Sequence, residues 1–243
     1  MQKRGPPASR TGNTTKRTPP HASATTEAFF APTGQKFIGK PKTIHIDFET
    51  KPIKGWAWRP WDTDLMETEE NTSILSVAWH DEDEGVTHVK SLRHFTGHKR
   101  DATNDLKLCK FIWKILDSAD IVVGQNINNF DIPLINGRFY MHDLGPTRPY
   151  LTIDTLKLFK KFRLDSNKLD SVSKQKDGGR KLKTHGKDTW LGCVRWDLKE
   201  WAIMEEYNKH DVDIEMKRYK ELLPWIPQRS NRRKPIVAKS YVV

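Results

Sequence analysis

Apolar and polar positions alternate over residues 43–49, so a strand there places Ile44, Ile46 and Phe48 on one face and His45, Asp47 and Glu49 on the other. Residues 73–80 and 86–90 predict two more strands, and the polar run 81–85, ending in Gly85, joins them as a hairpin. Between the first two strands, a loop carrying Trp56, Trp58 and Trp61 is expected. Residues 101–118 show helical spacing through Leu108, Ile112, Ile115 and Leu116, and 119–124 is a short, wholly apolar strand closed by a glycine. A helix over 131–142 tolerates Pro133 in its first turn, where the missing N–H does no harm. Residues 151–153 read as a fifth strand, with Asp154 starting a helix to about Phe162. Ser166 is placed to cap a further short helix from Asn167. A basic loop at 174–187 precedes a long helix over 197–223, stopped by Pro224. Three strands followed by alternating helices and strands make an α/β layer pattern.

Charge divides the 243-residue chain into three parts. The net charge is +11, yet residues 1–42 carry eight Lys/Arg against one acid, and residues 224–243 carry five against none. The body at 43–223 is thus near neutral. The first 42 residues are rich in Pro, Ser, Thr and Gly and are expected to be a disordered basic tail, either a tether to phosphates or a plain solubilising extension. No apolar stretch after the early charges looks like a secretory signal, and none is long enough to predict a membrane span. Two cysteines, Cys109 and Cys193, exclude a disulfide framework and a four-cysteine zinc ribbon. His94 and His98 add no metal-binding knuckle to them.

The acids carry the candidate chemistry. Asp47 and Glu49, two apart on a strand, leave the same face about 7 Å apart, close enough to share a cation, although an ordinary exposed pair has the same spacing. Asp213 and Glu215 repeat the D-x-E spacing inside a helix, where they diverge by about 200° and are expected on a solvated face. Asp131 lies at a strand-to-helix switch and is either a helix N-cap or a third member of the group, while Asn126 is placed to tie the preceding loop to a neighbouring strand end. Tyr207 and Asp211, four apart, share a helix face.

Taken in order, Asp47-Phe48-Glu49, Asn126 with Phe130-Asp131, and Tyr207 with Asp211 resemble the three exonuclease motifs of the DEDD superfamily, across about three-quarters of the chain. The set is similar to the proofreading 3′→5′ exonuclease domain of family-B DNA polymerases and closer to stand-alone phage and bacterial exonucleases. Residues 153–157, 166–170 and 206–212 look like that stand-alone group. Glu206 stands where the alternative subclass has histidine, so the Tyr subclass is the better match, and Gln125 stands where the second motif often has histidine.

The resemblance implies a ribonuclease H-like fold, with a central mixed five-stranded sheet flanked by helices and basic tails outside it. It implies that Asp47, Glu49, Asp131 and Asp211 hold two divalent cations, Mg²⁺ or Mn²⁺, and that Tyr207 positions or helps activate the attacking water. The implied activity is 3′→5′ hydrolysis of phosphodiesters, DNA favoured, at single-stranded or frayed 3′ ends. The implied setting is the cytoplasm of a bacterial cell or phage-infected host, beside replication or repair proteins. An RNase H-like endonuclease and a non-catalytic nucleic-acid-binding module are the alternatives. Expected nucleic-acid contacts are Phe48, Asn126 and Phe130 from the motifs, and Arg180, Lys181 and Lys183 from the basic loop, which is otherwise a solvated loop. Trp56, Trp58 and Trp61 are placed either to stack terminal bases or to form a small satellite core. Trp190, Trp196 and Trp201 are expected to serve packing.

Overall fold

A computed structural model describes residues 40–59, 64–95, 100–179 and 181–225, so the two tails fall almost wholly outside the described residues, as do Trp61, His98 and Arg180. The alternating segment 43–49 forms β1 (Thr43–Thr50), and the other predicted strands are β4 (Ile74–Asp81), β5 (Val86–Ser91), β6 (Ile121–Gly124) and β7 (Leu151–Asp154). They build one sheet in the order β5-β4-β1-β6-β7. β1 is antiparallel to β4 and parallel to β6, which makes it the seam between an antiparallel hairpin half and a parallel half.

Both faces of that sheet are covered, which is why β6 is apolar throughout. Ile44, Ile46, Phe48, Val77 and Val122 pack toward α1 (Leu106–Ser118) and α2 (Asp131–Met141) in the larger core. On the opposite face, Ile121 and Val123 meet α3 (Thr155–Phe159), α4 (Leu169–Asp177) and the far end of α6 (Leu198–Leu222). Gly124 closes β6 where a Cβ would lie 2.9 Å from the Ile46 carbonyl oxygen, so β1 and the turn after β6 approach closely only because no side chain intervenes.

Local side-chain chemistry moves several boundaries from their predicted places. α1 starts at Leu106 rather than near 101, because the Asp101 carboxylate accepts from the Thr103 amide (2.8 Å) in a local turn. Asp105 turns away to the Ile74 amide (2.8 Å) and the Arg138 guanidinium. The basic loop is shorter than expected. Residues 174–177 are the last turn of α4, ended by Gly178 in the left-handed region (φ 74°), and α5 (Lys187–Val194) follows where no helix is expected from the pattern. The segment after β1 is more than a loop, since β2 (Lys54–Trp56) and β3 (Glu67–Glu70) pair as a small antiparallel ribbon. Trp56 and Trp58 are exposed on it and build no satellite core. Among the described residues, no helix is long and apolar enough to cross a membrane.

Candidate active site

The seam position of β1 decides what its polar face meets. α6 lies across that face, its N-terminus capped by the Asp197 carboxylate accepting from the Lys199 amide. Asp47 and Glu49 leave β1 toward the helix, and Asp211 comes down from it. A carboxylate oxygen of each lies within 4.8 Å of the other two. Asp131 joins from the start of α2. The N-cap there is Phe130, and Asp131, the first helical residue, accepts from the Phe48 amide of β1 (3.3 Å) instead of capping.

Asp131 and Asp211 are buried and Asp47 and Glu49 half-buried, and their crowding shows in their proton affinities. Burial, then the charges of Asp131, Glu49 and Asp211, push Asp47 well above the usual carboxylate range. Burial lifts Glu49 to about 7 against the hydrogen bond from Trp190. Burial also lifts Asp131 to about 7, while the Phe48 amide and its own amide hold it down. Asp211 is raised by burial, with Lys181 as the main opposing influence. Mutual repulsion inside a low-dielectric pocket costs free energy that a cation offsets.

Among the described residues, Lys181 is the cation in that pocket. Its ammonium donates to Asp211 and to the Tyr207 hydroxyl (3.1 Å), and it lies 5.2 Å from the centre of the Tyr207 ring. Lys181 thus reaches into the acid cluster rather than out toward solvent, as a phosphate contact on a solvated loop would. A cavity of about 110 Å³ opens there, with Asp47, Asp211, Lys181, Gln125 and Glu215 in its wall. Asp211 Oδ1 is buried with no hydrogen-bond partner. An all-oxygen donor set, an orphaned carboxylate oxygen and an ammonium already drawn in are the features a hard divalent cation fits.

The remaining predicted residues divide. Tyr207 stands beside Asp211 as its spacing implied, and burial, then the Asp211 charge, push its phenol up to about 12. Phe48 is a correction: strand alternation sends its side chain to the opposite face, where it is 3% exposed in the core and cannot meet a nucleic acid. Phe130 is 49% exposed next to Asp131. Asn126 holds a positive φ of 62°, and its backbone amide, not its side chain, makes the tie to the neighbouring strand end through Asp154 (3.1 Å). Lys183 is exposed.

Asp213 and Glu215 are a second correction. Neither lies on a solvated face, because the sheet reaches both sides of α6 there. Asp213 accepts from Thr87, and Glu215, 4% exposed, bonds the ring of His45 (2.7 Å). Two further residues at the site went unpredicted. Asn208 accepts from Ser76 (2.8 Å) and donates to Asp47 (2.7 Å), and its place three residues before Asp211 on one helix face was the available signal. Trp190 donates to Glu49 Oε2 (2.9 Å) across 141 positions of sequence, and no local pattern announces it. Trp201 is buried in the core with Trp196 against it, as expected of packing residues.

A second ligand-like group, Asp105, Cys109 and His142, lies on α1 and α2. Arg138 fills it with two hydrogen bonds to Asp105, making it an ion-pair network that ties the two helices.

No protein-family model matches the sequence, and no curated protein matches it. Among solved structures, 181 chains match. One is the family B DNA polymerase from the hyperthermophilic archaeon Pyrobaculum calidifontis, at a TM-score of 0.52 and 17% identity over 79% of this chain. The match spans 26% of that polymerase, so this chain corresponds to about a quarter of its length. At that identity the likeness speaks for the fold. The chain is an α/β protein of the ribonuclease H-like kind, a mixed five-stranded sheet with helices on both faces.

Proposed function

We propose that the chain is a metal-dependent nuclease, and more narrowly a 3′→5′ exonuclease of the DEDD type with Tyr207 in its third motif. The observation that carries the reading is the convergence of Asp47, Glu49 and Asp211 within 4.8 Å, with Asp131 alongside and a phenol adjacent. Asp47, Glu49, Asp131 and Asp211 would hold two divalent cations, Mg²⁺ or Mn²⁺, whose charge the four carboxylates would balance. Such ions would supply water activation and charge stabilisation at the scissile phosphate and the departing 3′ oxygen.

The chain's own groups do the rest. Tyr207, its phenol raised by burial and then the Asp211 charge, would hold the attacking water by a hydrogen bond. Asn208 fixes one oxygen of Asp47, leaving the other for a cation. Lys181 offsets the carboxylates in the metal-free chain, and its flexible stem lets it turn to the substrate phosphate once divalent cations enter. Phe130 supplies an exposed ring beside Asp131 for the terminal base. Exposed Lys183 supplies a phosphate contact, as does Arg180, and Asn126 shapes the turn after β6 through its amide bond to Asp154.

An end-labelled DNA oligonucleotide incubated with Mg²⁺ or Mn²⁺ tests this. Stepwise shortening from a free 3′ end, stopped by a blocked 3′ terminus and by chelator, is the expected result. Internal cuts replace the reading with an endonuclease, and retained binding without cleavage replaces it with a non-catalytic module.

A further inference from the structure

Glu49 lies one residue before the end of β1, next to a register irregularity in its pairing with β4. What holds the carboxylate is Trp190, whose indole N–H donates to Glu49 Oε2 at 2.9 Å. The same ring stands edge-on to Tyr207, with centroids 5.8 Å apart and planes at 78°. We propose that Trp190 is a positioning residue of the metal centre, locking Glu49 of the first motif and Tyr207 of the third into one geometry from a helix that carries neither. This inference rests on the metal-centre reading above.

Indole suits the task. It donates one hydrogen bond and offers no lone pair, so it orients a carboxylate without competing for the cation. Holding Oε2 fixes the orientation of the carboxylate and leaves Oε1 for a cation.

The helix beneath is closely packed. Thr189 and Cys193 of α5 are fully buried. Gly192 lets α5 press against α6, since a Cβ there would lie 2.3 Å from the Glu200 Cγ. α5 therefore acts as a strut between β1 and α6, which carry Glu49 and Tyr207.

Trp190→Phe removes the donor and keeps most of the ring. Calorimetric titration of the chelator-treated full chain with Mn²⁺ alone is expected to show affinity weakened about tenfold, within the range typical for partners that orient metal ligands. On an oligonucleotide, kcat is expected to fall with KM little changed. In a Glu49→Gln background the same substitution is expected to cost no further Mn²⁺ affinity, because its effect passes through Glu49. In the wild-type chain, the Trp190 indole N–H resonance is expected to shift as Mg²⁺ is added, a readout that needs no variant to fold. Equal Mn²⁺ affinity in wild type and Trp190→Phe, full additivity with Glu49→Gln, or an indole resonance unmoved at saturation overturns the inference alone. A wild-type chain that takes up no Mn²⁺ overturns the metal-centre reading and this inference with it.

Discussion

Asp131 begins a helix yet spends its carboxylate on a strand, accepting from the Phe48 amide rather than capping α2. Its own amide also reaches the carboxylate, yet the group is held among like charges at a cost. Replacing it with asparagine keeps an acceptor for Phe48 and removes one charge. Asp131→Asn is expected to lower nuclease turnover by more than about 100-fold, beyond what losing an outer partner typically costs. The same change relieves repulsion, so the metal-free melting temperature is expected to rise by about 2–4 °C for each kcal/mol regained. A thermal melt in chelator beside a turnover assay checks both, and opposite signs for stability and activity are the signature of a charge kept for function. Tyr207 and Asp211 show how far residue spacing reaches, since a four-residue step on a helix fixes their common face wherever that helix lies.

On the scale of elements, α6 is weakly amphipathic to read and the most informative to see. Its buried stripe includes Glu205, Asn208, Asp211, Glu215 and Arg218, so hydrophobicity along the sequence does not mark it. Each finds a partner on another element: Glu205 with Ser91 and Arg93, Asn208 with Asp47, Asp211 with Lys181, Glu215 with His45, and Arg218 with Asp177. Glu215 was unreadable as buried because its partner lies 170 residues away on β1. Burial would lower the His45 imidazole, but Glu215 and then Glu82 outweigh it and raise it to about 9. Glu215→Ala leaves a fully buried imidazolium with only the half-exposed Glu82. It is expected to cost about 3–5 kcal/mol, the usual range for breaking a buried pair. The urea midpoint at pH 7 measures it, and a loss under about 1 kcal/mol, as for a surface pair, would show the pair to be solvated. α5 is the matching failure of sequence reading. Its eight residues carry too short a period to separate from the basic loop before it.

For the whole molecule, the buried acids and His45 act in the same direction on stability. Glu49 and Asp131 hold protons more tightly folded than unfolded, so their contribution is present at low pH and is lost as pH rises through about 7. His45 likewise contributes fully below about 6.5 and loses that contribution as pH climbs through about 9. Asp105, pulled down chiefly by Arg138 against its burial, works the other way and is lost only in acid. The metal-free protein is therefore expected to melt at falling temperature from about pH 5 to pH 8. On the proposed reading divalent cations would bind the ionised cluster, so Mg²⁺ is expected to raise the melting temperature more at pH 8 than at pH 5.5. At a hundredfold excess over Kd the gain is about 2.7 kcal/mol, several degrees for a domain of this size. Melting curves across that range with Mg²⁺ and with chelator check the slope, and equal stabilisation at both pH values would count against a carboxylate-held cation.

The order of the five strands' segments, the strand face shared by Asp47 and Glu49 and the helix face shared by Tyr207 and Asp211 were all determined along the chain. Each rests on a period of two or 3.6 residues, which local backbone geometry enforces without reference to anything distant. Tertiary structure alone decided that β1 sits at the centre of the sheet, that Phe48 belongs to the core and that Lys181 turns inward. It also decided that Trp190 and Asn208 hold the acids in place. Those outcomes depend on which faces are covered and by what, and burial and charge pairing between residues 30 to 170 positions apart leave no periodic trace in either partner's neighbourhood.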